Sequence, residues 1–365
     1  MSDYGGKMPA DVSGDATGFY ARLGELLACG ERLALCTVLR LAGSGPRQAG
    51  AKMLVWEGGQ SVGTIGGGVL EKQATAWAQE VLRTGRALCR SFALDLTQAS
   101  EEGMTCGGEV EVLVEHLDGA TPSVRDFFAQ VLAVLMRGER GWLGTVISQE
   151  GEDVVTSRLL VVGGRSVASL PASAHSLPEE LLHAPSPSVP LLVERETGRY
   201  FLEPLAPPIT VYIFGGGHIG AHLVPLCHLL GFRTVVVDDR ADFATPKRFP
   251  QASELVVAPS FDHALEDLAI GGDGYVVIIT RGHGGDEAIL RQALRRRPGY
   301  IGMIGSQRKR ALVFQQLASE GVTSEELARV ACPIGVSIGA ETPEEIALSI
   351  AAELIATRAA RRGKG

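Results

Sequence analysis

The chain reads as an α/β protein: an N-terminal α+β domain followed by a C-terminal Rossmann-like doubly wound parallel sheet. Three observations predict this. Its 365 residues exceed the size at which one hydrophobic core keeps growing, so two domains are expected. In the second half, short apolar runs alternate with amphipathic stretches, the pattern of buried parallel strands covered by helices. The first of those runs, Thr210-Val211-Tyr212-Ile213-Phe214, leads into Gly215-Gly216-Gly217-His218-Ile219-Gly220, a GxGxxG turn between strand and helix.

The first half opens with an amphipathic helix expected over 18–29 and a strand over 33–39. Gly43-Ser44-Gly45-Pro46-Arg47 then has turn chemistry. A hairpin follows, with strands over 51–56 and 61–65 about the turn Glu57-Gly58-Gly59-Gln60. The run Gly63-Thr64-Ile65-Gly66-Gly67-Gly68 feeds a helix over 70–83 with Glu71 in its first turn. Such a loop offers backbone N–H groups and a positive dipole end to a phosphate or another anion, and Glu71 favours the same dipole. A tight turn beneath a packed helix is the plainer reading of these glycines. Strands over 87–94, 110–115, 142–148 and 157–162, with a helix over 124–136, complete a domain placed at 16–170. Prolines punctuate 171–208, which reads as a connector in which 189–192 and 200–202 keep strand character.

The Rossmann-like domain is placed at 209–360. A helix over 221–230 ends at Gly231, and Thr234-Val235-Val236-Val237 forms a strand ending at Asp238-Asp239. Gly215 permits the tight turn, Gly217 lets the backbone approach a pyrophosphate, and Gly220 lets helix and strand pack closely. Asp238 is the candidate for a ribose hydroxyl, or Asp239 after a shift of one residue, which favours NAD. Arg240 beside it is a candidate for the 2′-phosphate of NADP. Strands over 254–257, 275–279 and 300–304 extend the sheet, and Thr342 caps a last helix over 343–358 with Glu344 and Glu345 in its first turn. His218, where the glycine loop enters its helix, is a candidate to face a phosphate, with a plain surface position as the alternative. His283 and Asp286 follow the 275–279 strand at the carboxyl edge of the sheet. They are a candidate acid/base pair, or the water-facing polar residues of a glycine turn.

Net charge is −8, and basic residues cluster only at Arg295-Arg296-Arg297 and Arg308-Lys309-Arg310, which read as helix ends. Nucleic-acid binding is therefore not expected. No apolar run reaches membrane-spanning length and residues 1–15 lack an apolar core, so a cytoplasmic protein without a signal peptide or membrane contact is expected. The six cysteines, Cys29, Cys36, Cys89, Cys106, Cys227 and Cys332, show no CxxC spacing, which argues against structural zinc and against a disulfide framework. His222 and His228 share a helix with Cys227 but lack the carboxylates a metal site would add. Cys106, in Gly103-Met104-Thr105-Cys106-Gly107-Gly108, has a loop setting, and its glycine neighbours leave the sulfur open to close approach. Two glycine-lined regions in different halves imply that something besides a dinucleotide is held. A handler of a reactive anionic cofactor, an NAD(P)-dependent oxidoreductase and a partner-binding protein with an empty Rossmann site are the competing readings.

Read together, Gly43-Ser44-Gly45-Pro46-Arg47, Gly50-Ala51-Lys52-Met53-Leu54-Val55, the 63–71 run and the Cys106 run resemble the xanthine dehydrogenase accessory protein family, XdhC/CoxI. The second half agrees in order, through the glycine loop, Asp238-Asp239-Arg240, Arg248-Phe249-Pro250, the 300–306 run and Pro333-Ile334-Gly335. The resemblance implies a cytoplasmic maturation factor that binds the molybdenum cofactor. It further implies exchange of a molybdenum oxo ligand for sulfur with a cysteine desulfurase, and delivery to a xanthine dehydrogenase-like molybdoenzyme. The family's cysteine falls on Cys106, as molybdenum ligand or sulfur carrier. Its arginine and glycine positions fall on Arg47, Gly63, Thr64, Gly66, Gly67 and Gly68, with Glu71, Gly107 and Gly108 alongside. One departure stands out: the family's His-Asp-His run after the fourth Rossmann strand reads Arg281-Gly282-His283 here. The chemistry agrees, since glycine-loop amides suit the pterin phosphate and a thiolate suits molybdenum. That role needs a depressed Cys106 pKa, from nearby donors or Arg47. A homodimer is the expected quaternary state.

Overall fold

The computed structural model describes residues 16–43, 47–94, 108–151, 153–171, 177–182 and 189–362. Cys106 and Gly107 lie outside the described residues, as does the side chain of His283. The chain divides after Pro207 into two compact units. No helix among the described residues is long and apolar enough to cross a membrane.

The first unit holds two five-stranded antiparallel sheets. Helix α1 (Ala16–Ala28) leads into β1 (Arg32–Gly43), the centre of the first sheet. On one side β1 pairs with β2 (Lys52–Val55), which pairs with β3 (Ser61–Gly63); on the other it pairs with β5 (Gly108–Asp118), which pairs with β4 (Leu88–Leu94). Helix α2 (Gly68–Thr84) buries Leu70, Ala74, Ala78 and Val81, a stripe at helical spacing, against Ala34, Cys36, Val38 and Met53. The opposite face, carrying Leu33, Leu35, Leu54 and Leu117, joins α1, α3 (Pro122–Met136) and Leu143, Leu160 and Leu205 of the second sheet in one core. That sheet runs β8 (Arg165–Leu170), β7 (Asp153–Val162), β6 (Gly141–Glu150), β10 (Gly198–Leu205), β9 (Leu191–Arg195), and α4 (Glu179–Leu182) packs on its outer face near Trp142 and Tyr200.

The shared core is not purely apolar. Along β5, Glu111, Leu113, Glu115 and Leu117 alternate onto one face. Glu115 pairs with Arg158 of β7, Lys52 of β2 pairs with Glu203 of β10, and Arg199 of β10 reaches Glu111 at 2.7 Å. The first two pairs are buried, so each ion is tolerable there only because an opposite charge sits against it. These three contacts join the two sheets.

Residues 191–205, expected within a connector that keeps strand character at 189–192 and 200–202, form two paired strands of the second sheet, with β10 inserted between β6 and β9. Pro204 is accommodated because it lies past the end of β9, whose pairing stops at Leu202. A residue without an N–H fits where the strand has a partner on one side alone.

The second unit is a six-stranded parallel sheet in the order β13-β12-β11-β14-β15-β16. Its strands are β11 (Thr210–Phe214), β12 (Arg233–Asp238), β13 (Glu254–Val257), β14 (Tyr275–Ile278), β15 (Tyr300–Met303) and β16 (Val330–Ala331). Helices α5 (His218–Leu229) and α9 (Pro343–Arg362) pack in a core with Val211, Ile213, Val236 and Val277, whereas α6 (His283–Arg296), α7 (Gln307–Ser319) and α8 (Ser324–Ala328) share the other core with Phe214, Val237 and Ile278. Successive strands thus send alternate side chains to opposite helical layers. The direction of strand addition reverses between β11 and β14, and in such sheets ligands bind outside the carboxyl ends at that point. The sequence expectation of a doubly wound Rossmann-like unit is met.

Candidate functional site

Register places the N-terminal candidates at one end of the first sheet. Gly43 ends β1 opposite Gly108, the first residue of β5, and Leu94 ends β4 opposite the same Gly108. The strand ends that bracket Cys106 and precede Arg47 are therefore neighbours. β3 ends in the same direction, but Gly63 sits opposite Met53 and so level with Cys36, roughly 20 Å short of Gly43 along the strand. Arg47 is exposed.

At Gly63 the backbone has φ +82°, and a Cβ would come within 2.5 Å of the Lys52 carbonyl oxygen, so only glycine fits. The loop that follows does not present open amides. Instead Glu71, from the first turn of α2, folds back into it. Its Oε1 accepts hydrogen bonds from the Thr64 hydroxyl at 2.5 Å and from the amides of Ile65, Gly66 and Gly67 at 3.1, 3.3 and 2.9 Å. Burial pushes the Glu71 carboxyl up, but these donors outweigh it and hold the group below its ordinary value. Residues 64–67 thus do bind an anion, and the anion is the chain's own. The side of Gly67 that a Cβ would occupy is open, with nothing within 4 Å.

In the second unit the glycine loop performs its packing roles. A side chain at Gly215 (φ +122°) would run into the Ile279 carbonyl, and one at Gly220 would come within 2.6 Å of the Gly215 carbonyl oxygen. Gly217 is open and His218 is exposed at the head of α5. Asp238, at the end of β12, has a side chain only 1% exposed. Its Oδ2 accepts from the Gly216 amide at 2.7 Å and from Arg240 Nη2 at 3.0 Å; its Oδ1 accepts from Arg240 Nε at 2.8 Å and from the Arg240 amide at 3.0 Å. Burial raises this carboxyl, and the bonds from Arg240 and Gly216 more than reverse that. Asp239 instead faces Arg281 at 3.3 Å.

Asp286 is fully buried in the first turn of α6. Thr280 donates to its Oδ1 at 2.6 Å and Lys309 of α7 pairs with its Oδ2. Burial dominates and raises its pKa despite both partners. The geometry makes Asp286 a brace between the β14 loop and α7. Its fully buried carboxylate does not offer a surface acid/base group.

The sequence puts Glu71 in the first turn of its helix and Asp238, Arg240 and Asp286 at or after strand ends, but gives no sign that the Gly216 amide, Thr280 and Lys309 are partners of these carboxylates. It also gives no sign of Phe243, or that Arg248 helps cover the glycine loop. Arg248-Phe249 is visible as a motif, and the Arg248 Nη2 reaches the Gly216 carbonyl oxygen at 3.1 Å. Nothing in the spacing marks Lys309. Among the described residues, no three His, Cys, Asp or Glu side chains gather so as to hold a metal ion.

Comparison with known proteins covers both units. The family model described as the XdhC and CoxI family matches residues 26–93, and the XdhC Rossmann domain matches residues 211–354. A protein of Bacillus subtilis (strain 168), named as a probable xanthine dehydrogenase subunit, is 27% identical over 93% of this chain and 97% of its own length. The molybdenum cofactor insertion chaperone PaoD of Escherichia coli (strain K12) is 23% identical over 92% of this chain and 86% of its own. The uncharacterized protein YqeB of the same organism is 36% identical over 143 residues, which span only 26% of its length. A solved structure described as a xanthine dehydrogenase from Bacillus halodurans matches with a TM-score of 0.78 at 28% identity, covering 94% of this chain and 96% of that one.

Proposed function

Because the chain belongs to the XdhC and CoxI family, we propose that it readies a xanthine dehydrogenase-like molybdoenzyme by taking charge of its molybdenum cofactor. The observation that carries this reading is likeness along almost the whole chain to a protein named for molybdenum cofactor insertion and to one named as a probable xanthine dehydrogenase subunit. In the proposal Cys106 is the soft ligand or sulfur carrier, a cysteine desulfurase is the sulfur source, and the chain acts in the cytoplasm as a homodimer.

The structure bears unequally on the parts assigned to individual residues. The ends of β1, β4 and β5, between which Cys106 falls in the sequence and after which Arg47 follows, are neighbours. The amides of Ile65, Gly66 and Gly67 do not fit the phosphate-receiving part, since Glu71 uses all three. Arg47, which is exposed, is the better candidate for an anionic group.

The test uses purified full-length protein incubated with molybdenum cofactor, followed by measurement of retained pterin and molybdenum. Wild type is expected to retain both and Cys106→Ser to lose most of them. Equal retention by the two removes the thiol from the site. If neither retains cofactor, and the recipient enzyme acquires its full cofactor and terminal sulfur in cells lacking this chain, the maturation reading falls.

A further inference from the structure

The geometry points to a Rossmann unit whose adenosine site is closed from within by Arg240, so that the glycine loop takes neither NAD nor NADP in the usual pose. A carboxylate offers about four lone-pair positions. Asp238 has all of them matched: the Gly216 amide, the Arg240 amide, and Arg240 Nε and Nη2 in a planar fork, between 2.7 and 3.0 Å. Receiving the two hydroxyls of a ribose requires the guanidinium to leave. The same commitment removes Arg240 as a partner for a 2′-phosphate.

The space is closed as well as the acceptor. The 3₁₀ turn Ala241–Phe243 folds over the loop, so that a Cβ built on Gly216 would run into the Phe243 carbonyl. The Arg240 guanidinium lies 3.4 Å from the centre of the Phe243 ring, and Arg248 approaches the same ring at 4.9 Å while donating to the Gly216 carbonyl oxygen. Arg240 is thus held on one side by a carboxylate and on the other by an aromatic face, two attractions that act together. Asp239, the alternative acceptor, meets Arg281 through its Oδ2 at 3.3 Å, while its buried Oδ1 has no hydrogen bond and faces Arg240 Nε at 3.6 Å, so a ribose would reach that oxygen only after Arg240 moves aside. A phosphate-binding turn has been kept for packing while its neighbouring acceptor has been taken by an internal cation.

The closure is tested on the full chain by titrating NADH and NADPH and following nicotinamide fluorescence, with calorimetric titration of NAD as a second readout. Wild type is expected to show no saturable binding up to about 1 mM. Arg240→Met keeps an unbranched stem against Phe243 while removing the fork, and is expected to tighten NADH binding at least ~10-fold, about 1.4 kcal/mol. Arg240→Lys, which keeps a cation without the planar fork, serves if the methionine variant fails to fold, and is expected to bind measurably. Micromolar binding by wild type overturns the closure. Absence of binding in a folded Arg240 variant overturns the role of Arg240 as the latch. Neither result touches cofactor retention by the first unit, so this inference and the proposed function stand or fall separately.

Discussion

Removing the Glu71 carboxylate tests whether the 64–67 loop is organised by its own anion. In Glu71→Ala, the Thr64 hydroxyl and three backbone amides lose their common acceptor. Loss of a capping side chain costs about 0.5–2 kcal/mol, and bonds to a charged acceptor lie at the strong end. Glu71 is only half-buried and water replaces part of what is lost, so the total is set at about 2 kcal/mol. For a unit of this size that lowers Tm by about 4–8 °C. All three tryptophans, Trp56, Trp77 and Trp142, fall in the first unit, so their fluorescence follows its unfolding alone. Because the folded-state value of Glu71 is depressed, its contribution is complete above the ordinary value of 4.5 and is lost as pH falls through the folded value. The gap between wild type and Glu71→Gln must therefore narrow as the medium is acidified. Faster hydrogen exchange at residues 65–67 should accompany both substitutions. A Glu71→Ala melting point within about 1 °C of wild type, or a gap that widens on acidification, refutes the reasoning.

Two further outcomes follow from the same chemistry. Arg158→Met strands the Glu115 carboxylate in the core and is expected to cost about 3–5 kcal/mol, most of it restored by adding Glu115→Leu; urea unfolding of the double mutant decides, and equal losses in the single and double variants contradict the pairing. Burial pushes the Cys36 and Cys227 thiols up to about 12, and burial with Glu111 pushes Cys89 up to about 11. Alkylation at pH 7.5 should therefore mark exposed Cys29 and spare those three, with mass spectrometry of digested peptides as the readout. Labelling of Cys89 as fast as Cys29 would show that its surroundings are misjudged.

The Rossmann unit is legible in the sequence because its signals are local. The strands β11 to β15 are short apolar runs, the turn after β11 carries its glycines, and Asp238 ends its strand, whereas the two-residue β16 is too short to be anticipated. The first unit is harder because its logic is non-local. The 191–205 strands carry prolines at their borders, and β6, the partner of β10, begins 57 residues before it in the chain. Strand β8 is not anticipated, since Arg165-Ser166-Val167-Ala168-Ser169-Leu170 has little apolar character. Burial of charges inside strands, such as Glu115 and Arg158, has no local signal, because the counter-ion comes from the facing sheet. At the candidate sites the sequence yields the residues but not their allegiance. Asp238 and Arg240 read as rivals for one ligand, whereas they bind each other, and Glu71 reads as a dipole complement although it fills the loop.

The place of β10 in the second sheet has a consequence for how the chain is made. It is the last strand of its unit to be synthesised, yet it lies between β6 and β9 and supplies the partners of Lys52 and Glu111. Until roughly 200 residues have left the ribosome, β6 keeps a bare edge and Lys52 has no counter-charge. The segment 26–93 lacks β5, the long partner of β1, and has no closed sheet of its own. Translation pausing before Leu191 should therefore leave an aggregation-prone nascent chain, whereas a pause after Leu205 releases a finished first unit while the parallel sheet is still being built.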